Sequence, residues 1–128
     1  EVFSKHNNMK SNWGHITISP IDNEVFVKSV ASSKGILCGA GFETPAEALF
    51  LGKKLMVIPM KGQYEQQCNA AALKEMGVPV IKSLKTKHVE KIKSWVNDYA
   101  RIEINYPDLT ENIIDQLLQE CSVVSIIA

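Results

Sequence analysis

Cysteine is scarce in this sequence: Cys38, Cys68 and Cys121 are odd in number, far apart and set in apolar or helical stretches. That excludes a disulfide framework and a CxxC metal or redox pair, and it is the usage expected in a reducing, cytoplasmic setting. Long hydrophobic runs are missing too, the longest falling far short of the roughly 18 residues a membrane helix needs. No signal peptide is visible. Aromatic residues make up 7% of the chain, and none alternates with lysines as a nucleic-acid groove requires, so no nucleic-acid partner is expected. No Asp-His pair or pair of carboxylates has the look of a catalytic base. His6, His15 and His88 are scattered; His15 is expected to begin a strand and His88 to lie on a charged helix, both structural or surface positions. With no ligand cluster in view, no metal is expected.

What is present is a globular balance, with 45% hydrophobic and 22% charged residues over 128 positions, enough for one domain with a real core. The chain starts at Glu1 without an initiator Met, and "EVFSK" reads as an element already in progress, so a fragment is expected. The formal charge is zero but unevenly spread: residues 53–93 hold nine lysines against three glutamates, and the tail from Ser94 is acidic. The basic stretch is either a solvated helix face or an attraction to an anionic ligand or membrane surface, which leaves peripheral contact with the inner membrane face as an expectation.

Short apolar runs alternate with helical patterns. Residues 15–19, 35–38, 54–59 and 78–81 are short, rich in β-branched residues and bounded by Gly or Pro, as buried parallel strands are, and residues 2–4 offer another. Helices are expected over 23–32, over 45–51 stopped by Gly52, over 65–76 stopped by Gly77, and over roughly 87–98 and 111–121, the last two separated by a turn at Pro107 and Asp108. This order implies right-handed crossovers and an α/β fold: a Rossmann-like open, mostly parallel sheet of about five strands with helices on both faces, in one domain.

In such sheets ligands collect at the carboxyl ends of the strands. The first loop there is "GAGFETPAEAL", residues 39–49. Thr44 has the signature of an N-cap: it can accept from the amide of Glu47 while Glu47 reaches back to the amide of Thr44, and Pro45 fits the first helical position because it needs no donor. The capping box does not explain Gly39 and Gly41, which leave the backbone open to close approach beside the unpaired amides of a helix start, a place suited to phosphate. The second loop leads into Glu65, Gln66, Gln67 and Asn69; amides and a carboxylate at a helix start are groups that read sugar hydroxyls in pairs.

Residues 39–81, "GAGFETPAEALFLGKKLMVIPMKGQYEQQCNAAALKEMGVPVI", resemble the nucleotide-sugar-binding, C-terminal half of glycosyltransferases with the GT-B fold, whose pattern is a glycine, a Thr or Ser, a Glu about three residues on, then "EAL..GKP...IP...DQ..NA..L...G". The match is close over about a third of the chain and follows strand and helix order over most of it. The resemblance implies that Gly41, Phe42, Glu43 and Thr44 surround a diphosphate, that Glu47 accepts from both ribose hydroxyls, and that Glu65 and Gln66, in place of the usual Asp-Gln, touch the donor sugar. Asn69 in that pattern supports the loop. Two departures stand out: Lys54 where the family often has Pro, and Gly39 where many relatives have a phosphate-contacting His, so phosphate contacts here would rest on backbone amides.

The resemblance implies a transferase using a nucleotide-sugar, expected to be a UDP-sugar, with no bound cofactor or metal. Its partners would be that donor, an acceptor the sequence does not name, and an N-terminal domain carrying the acceptor site and the catalytic base; the isolated fragment is expected to be inactive. A nucleotide-sugar epimerase or hydrolase of the same fold, or a Rossmann-like interaction module that binds no nucleotide, are the alternatives.

Overall fold

The computed structural model describes residues 1–127, with side-chain surroundings through residue 121. Strands β1 (Val2–Phe3), β2 (Ser11–Trp13) and β3 (Ile16–Ser19) come first, then α1 (Asn23–Ser32), β4 (Gly35–Gly39), α2 (Glu43–Phe50), β5 (Lys54–Ile58) and α3 (Tyr64–Glu75). A single 3-10 turn at Thr86–His88 leads into α4 (Val89–Asn97), and α5 (Thr110–Ile127) follows an extended stretch.

The α/β alternation stands, but the single sheet of about five strands is replaced by two smaller ones. The first has the order β1-β3-β2, with β1 parallel and β2 antiparallel to β3. The β2–β3 hairpin turns at Gly14 and His15, so His15 belongs to the turn and the strand begins at Ile16. The second sheet is the parallel pair β4-β5, in register from Gly35 opposite Lys54 to Gly39 opposite Ile58.

Residues 78–81, expected as a further strand, touch β5 only through an isolated parallel bridge between Val57 and Val80. Val57 N donates to Pro79 O at 3.0 Å and Ile81 N donates to Val57 O at 3.1 Å. The next bond in one direction would need the N–H of Pro79, and the next in the other direction that of Pro59; neither exists. Two prolines therefore bracket the bridge and confine the third strand to one rung.

Local chemistry accounts for the helix ends. Asp22 caps α1 by accepting from Val25 N at 2.9 Å, and Asp108, its carboxyl held below the usual range by Thr110, accepts from Thr110 N at 3.0 Å where α5 begins. Gly52 and Gly77 adopt left-handed φ of 61° and 91° and stop α2 and α3 as expected. Lys54 supplies the end of α4: its ammonium donates to the carbonyls of Trp95, Val96 and Asp98 at 2.7, 2.8 and 2.7 Å, which uses all three of its donors. Lys53 donates to Ala31 O at 2.6 Å beside the end of α1. The three bonds of Lys54 give a lysine at that position a structural role.

The core lies where α2 and α3 cover β5: Ala40, Ala48, Leu49, Leu55, Val57, Ala70, Leu73 and Val78 form one buried cluster, with Ile102 and Ile104 of the extended stretch packed against it. Among the described residues no helix is long and apolar enough to cross a membrane.

Candidate functional site

Because β4, β5 and the Val80 bridge are parallel, the loops that follow them leave from the same edge. Between the first two loops lies a cavity of about 460 Å³ lined by Cys38, Gly39, Gly41, Phe42, Glu43, Thr44, Pro45, Glu65 and Gln66. Six of the seven expected site residues thus meet in one place. The seventh, Glu47, does not line the cavity. It is exposed on α2, one helical turn beyond Glu43 on the same face, or about 5.4 Å further along.

The expected capping box is not formed. Helix α2 begins at Glu43, Phe42 occupies the N-cap position with φ −81° and ψ −51°, and no side chain caps the end. Thr44 and Glu47 are consequently interior to the helix, and Pro45 sits at the third helical position rather than the first. The physical reason is that the backbone is already helical at Phe42, and a proline anywhere in the first turn loses no intrahelical bond, since those amides have no acceptor. The consequence is chemical: Glu47 is not spent on a cap, and the amides of Glu43 and Thr44 at the helix start have no intrahelical acceptor.

Gln66 of α3 ties the two loops together, and Asn69 of the same helix braces the first. Gln66 Oε1 accepts from Met60 N at 2.9 Å and from Ala40 N at 3.3 Å, and Asn69 Nδ2 donates to Ala40 O at 3.1 Å. Both sides of Ala40 are therefore held, and Asn69 has the loop-supporting place anticipated for it. A Cβ at Gly39 would make only an ordinary contact with Gln66 Oε1, at 3.5 Å. Gly41 is different: a Cβ at this position meets nothing within 4 Å, so the fold itself leaves the space beside it open. A second cavity of about 410 Å³ shares Gly41, Phe42 and Pro45 with the first and runs between α2 and α3 beneath Ile104 and Tyr106, with an almost wholly apolar lining.

Cys38, in the wall of the polar cavity, has its thiol pushed up to about 11 by burial, away from an ordinary 9.0. It therefore holds about a hundredfold less thiolate than an ordinary cysteine at neutral pH. We expect iodoacetamide at pH 8 to modify the exposed Cys68 well before Cys38, as read by peptide mass spectrometry; equal rates would contradict the burial. The sign for stability follows, since the unfolded thiol ionises first. The Cys38 contribution is constant below pH 9 and declines as pH rises toward 11.

Of the nine lysines in 53–93, Lys53, Lys54 and Lys91 donate to backbone carbonyls and Lys93 pairs with Glu90, so much of that charge is structural. Among the described residues no group of three or more His, Cys, Asp or Glu could hold a metal ion.

An α/β chain whose parallel strands β4 and β5 send their following loops to one edge has a Rossmann-like fold. Comparison with protein families gives the finer class: the profile described as glycosyl transferase family 1 matches residues 2–99. The chain belongs to this family and is a glycosyltransferase. Comparison with curated proteins and with solved structures finds no match.

Proposed function

We propose that this chain is the donor-binding, C-terminal domain of a GT-B-fold glycosyltransferase and that its donor is a UDP-sugar. The observation that carries the reading is the polar cavity, where the anion-ready loop and the Glu65-Gln66 helix start meet around a space of about 460 Å³.

In this reading the diphosphate lies at the amides of Gly41, Phe42, Glu43 and Thr44, where unpaired N–H groups and the start of α2 favour negative charge. The open space at Gly41 lets a phosphate approach the backbone closely. Glu47, one turn along, accepts from the two ribose hydroxyls. Glu65 accepts from a donor-sugar hydroxyl, and Gln66, whose Oε1 is already occupied, offers its Nε2 as a donor. As the bond between the sugar and the diphosphate oxygen breaks, charge grows on the leaving group. The same amides then hold it more tightly than in the ground state, which is what lowers the barrier. The acceptor and the base that takes its proton belong to the N-terminal domain of the GT-B pair. Glu47 turned wholly into its cap would have favoured the interaction-module alternative, and α2 has no side-chain cap.

A paired calorimetric titration tests the reading. The protein should bind UDP and, more tightly, one UDP-sugar among UDP-glucose, UDP-galactose and their N-acetyl forms. Glu65→Ala should lower affinity for that sugar nucleotide by about 1–3 kcal/mol, the scale of a hydrogen bond to a charged group, and leave UDP unchanged. A ratio of affinities unmoved for every sugar rejects the sugar contact, and no binding of UDP at all rejects the donor site.

A further inference from the structure

We propose that Gln66 is a positioning residue that couples the two loops of the cavity, so that an anion bound at the first loop orders the second. This rests on reading the cavity as a diphosphate site.

The geometry is specific. A single oxygen, Gln66 Oε1, accepts from Ala40 N in the loop after β4 and from Met60 N in the loop after β5, at 3.3 and 2.9 Å. A carbonyl oxygen has two lone pairs, and both are used. Neither bond belongs to a helix or a sheet ladder, so the two loops are joined here by one side chain and not by backbone pairing. Asn69 fixes the far side of the same Ala40 peptide through Ala40 O. Ala40 itself is fully buried, whereas Met60 is exposed.

Ala40 immediately precedes Gly41, whose amide begins the anion-binding run. An anion that pulls those amides into one orientation also settles the Ala40 peptide, the Gln66 carbonyl and, through it, Met60 N at the base of the loop that carries the chain to Glu65. The device thus reports occupancy of the diphosphate place to the residue that reads the sugar. It also orients the Gln66 amide, because Oε1 held by two donors leaves Nε2 in one direction.

The test is amide hydrogen exchange on the protein with and without UDP, comparing Gln66→Ala, which removes the shared oxygen, with Gln66→Glu, whose carboxylate still accepts from both amides. Without ligand, the Ala40 and Met60 amides should exchange about tenfold faster in the Ala variant, the loss of one ordinary hydrogen bond, and no faster in the Glu variant. With UDP, residues 59–63 should gain protection in the wild type and in Gln66→Glu but not in Gln66→Ala. Unchanged basal exchange at both amides in Gln66→Ala overturns the tie itself. UDP-induced protection that persists in Gln66→Ala, or is lost equally in Gln66→Glu, overturns the coupling while leaving the donor site intact. A wild type that shows the basal tie yet binds no UDP overturns the donor site, and the coupling with it. A general packing role for Gln66 predicts equal damage from both variants, which the Glu variant separates.

Discussion

Glu47→Gln lowers affinity for UDP by about 1–3 kcal/mol and leaves the melting temperature of the protein unchanged. The two halves of this result come from different facts. The side chain is exposed, makes no cap and anchors no other element, so its replacement by an amide of the same shape removes nothing from the fold. On the binding side, one carboxylate with two oxygens can accept from two neighbouring hydroxyls at once, and bonds to a charged acceptor are about twice as strong as neutral ones. An amide supplies one acceptor and turns a donor toward the second hydroxyl. The loss is therefore roughly 5- to 150-fold in Kd, read by titration calorimetry alongside a thermal melt. Equal UDP binding by the two proteins removes Glu47 from the ribose, and a fall in melting temperature with the same binding assigns it to stability.

The second large effect lies at the opposite edge of the sheet. Lys54→Met keeps the apolar stem of the side chain but deletes an ammonium that three carbonyls at the end of α4 share. Those carbonyls then face water or one another at the negative end of a helix dipole. A cost of about 2 kcal/mol is expected, the upper part of the range for a cation at a helix terminus, corresponding to a melting temperature lower by about 6–8 °C. Stacking adds to this, since the ammonium lies 5.3 Å from the centre of the Trp95 ring. UDP binding should survive, because Lys54 opens β5 and the cavity lies beyond its other end, about 15 Å away along the strand. Chemical denaturation with unchanged slope and a lower midpoint supports the cap; an unchanged midpoint dismisses it.

Periodicity and punctuation in the sequence carried the helices well. Asn23–Ser32 is bounded as its apolar spacing indicates, and Gly52 and Gly77 end α2 and α3 because a residue free of Cβ enters left-handed backbone there without strain. Sheet pairing was less legible. The β2 strand is polar apart from Trp13 and has no alternation to betray it; the turn glycine at Gly14, with φ of 59°, is its one local signal. The prolines at 59 and 79 were visible from the start, but their effect depends on which residues face each other, and register is a tertiary fact.

The site divides in the same way. Gly41, Phe42, Glu43, Thr44, Glu65 and Gln66 could be placed at one edge because parallel strands put their following loops together. The N-cap was expected two residues too late, at Thr44 where the structure has Phe42, because Thr-Pro-x-Glu is a strong local signal, and no capping box forms since the backbone is already helical at Phe42. The tie between Gln66 and the amides of Ala40 and Met60 joins residues 26 and 6 positions apart, and only the packing of α3 over both loops creates it.

The single rung at Val80 also limits what can add to the β5 side of the second sheet. An exposed sheet margin ordinarily offers a row of free N–H and C=O groups on which a foreign strand can grow. Here Val80 O, which points away from β5, is taken by the ammonium of Lys91 at 2.9 Å, and Pro59 and Pro79 keep the segment from lengthening into a flat ribbon. The margin of the second sheet beside β5 is thereby closed to templated strand addition.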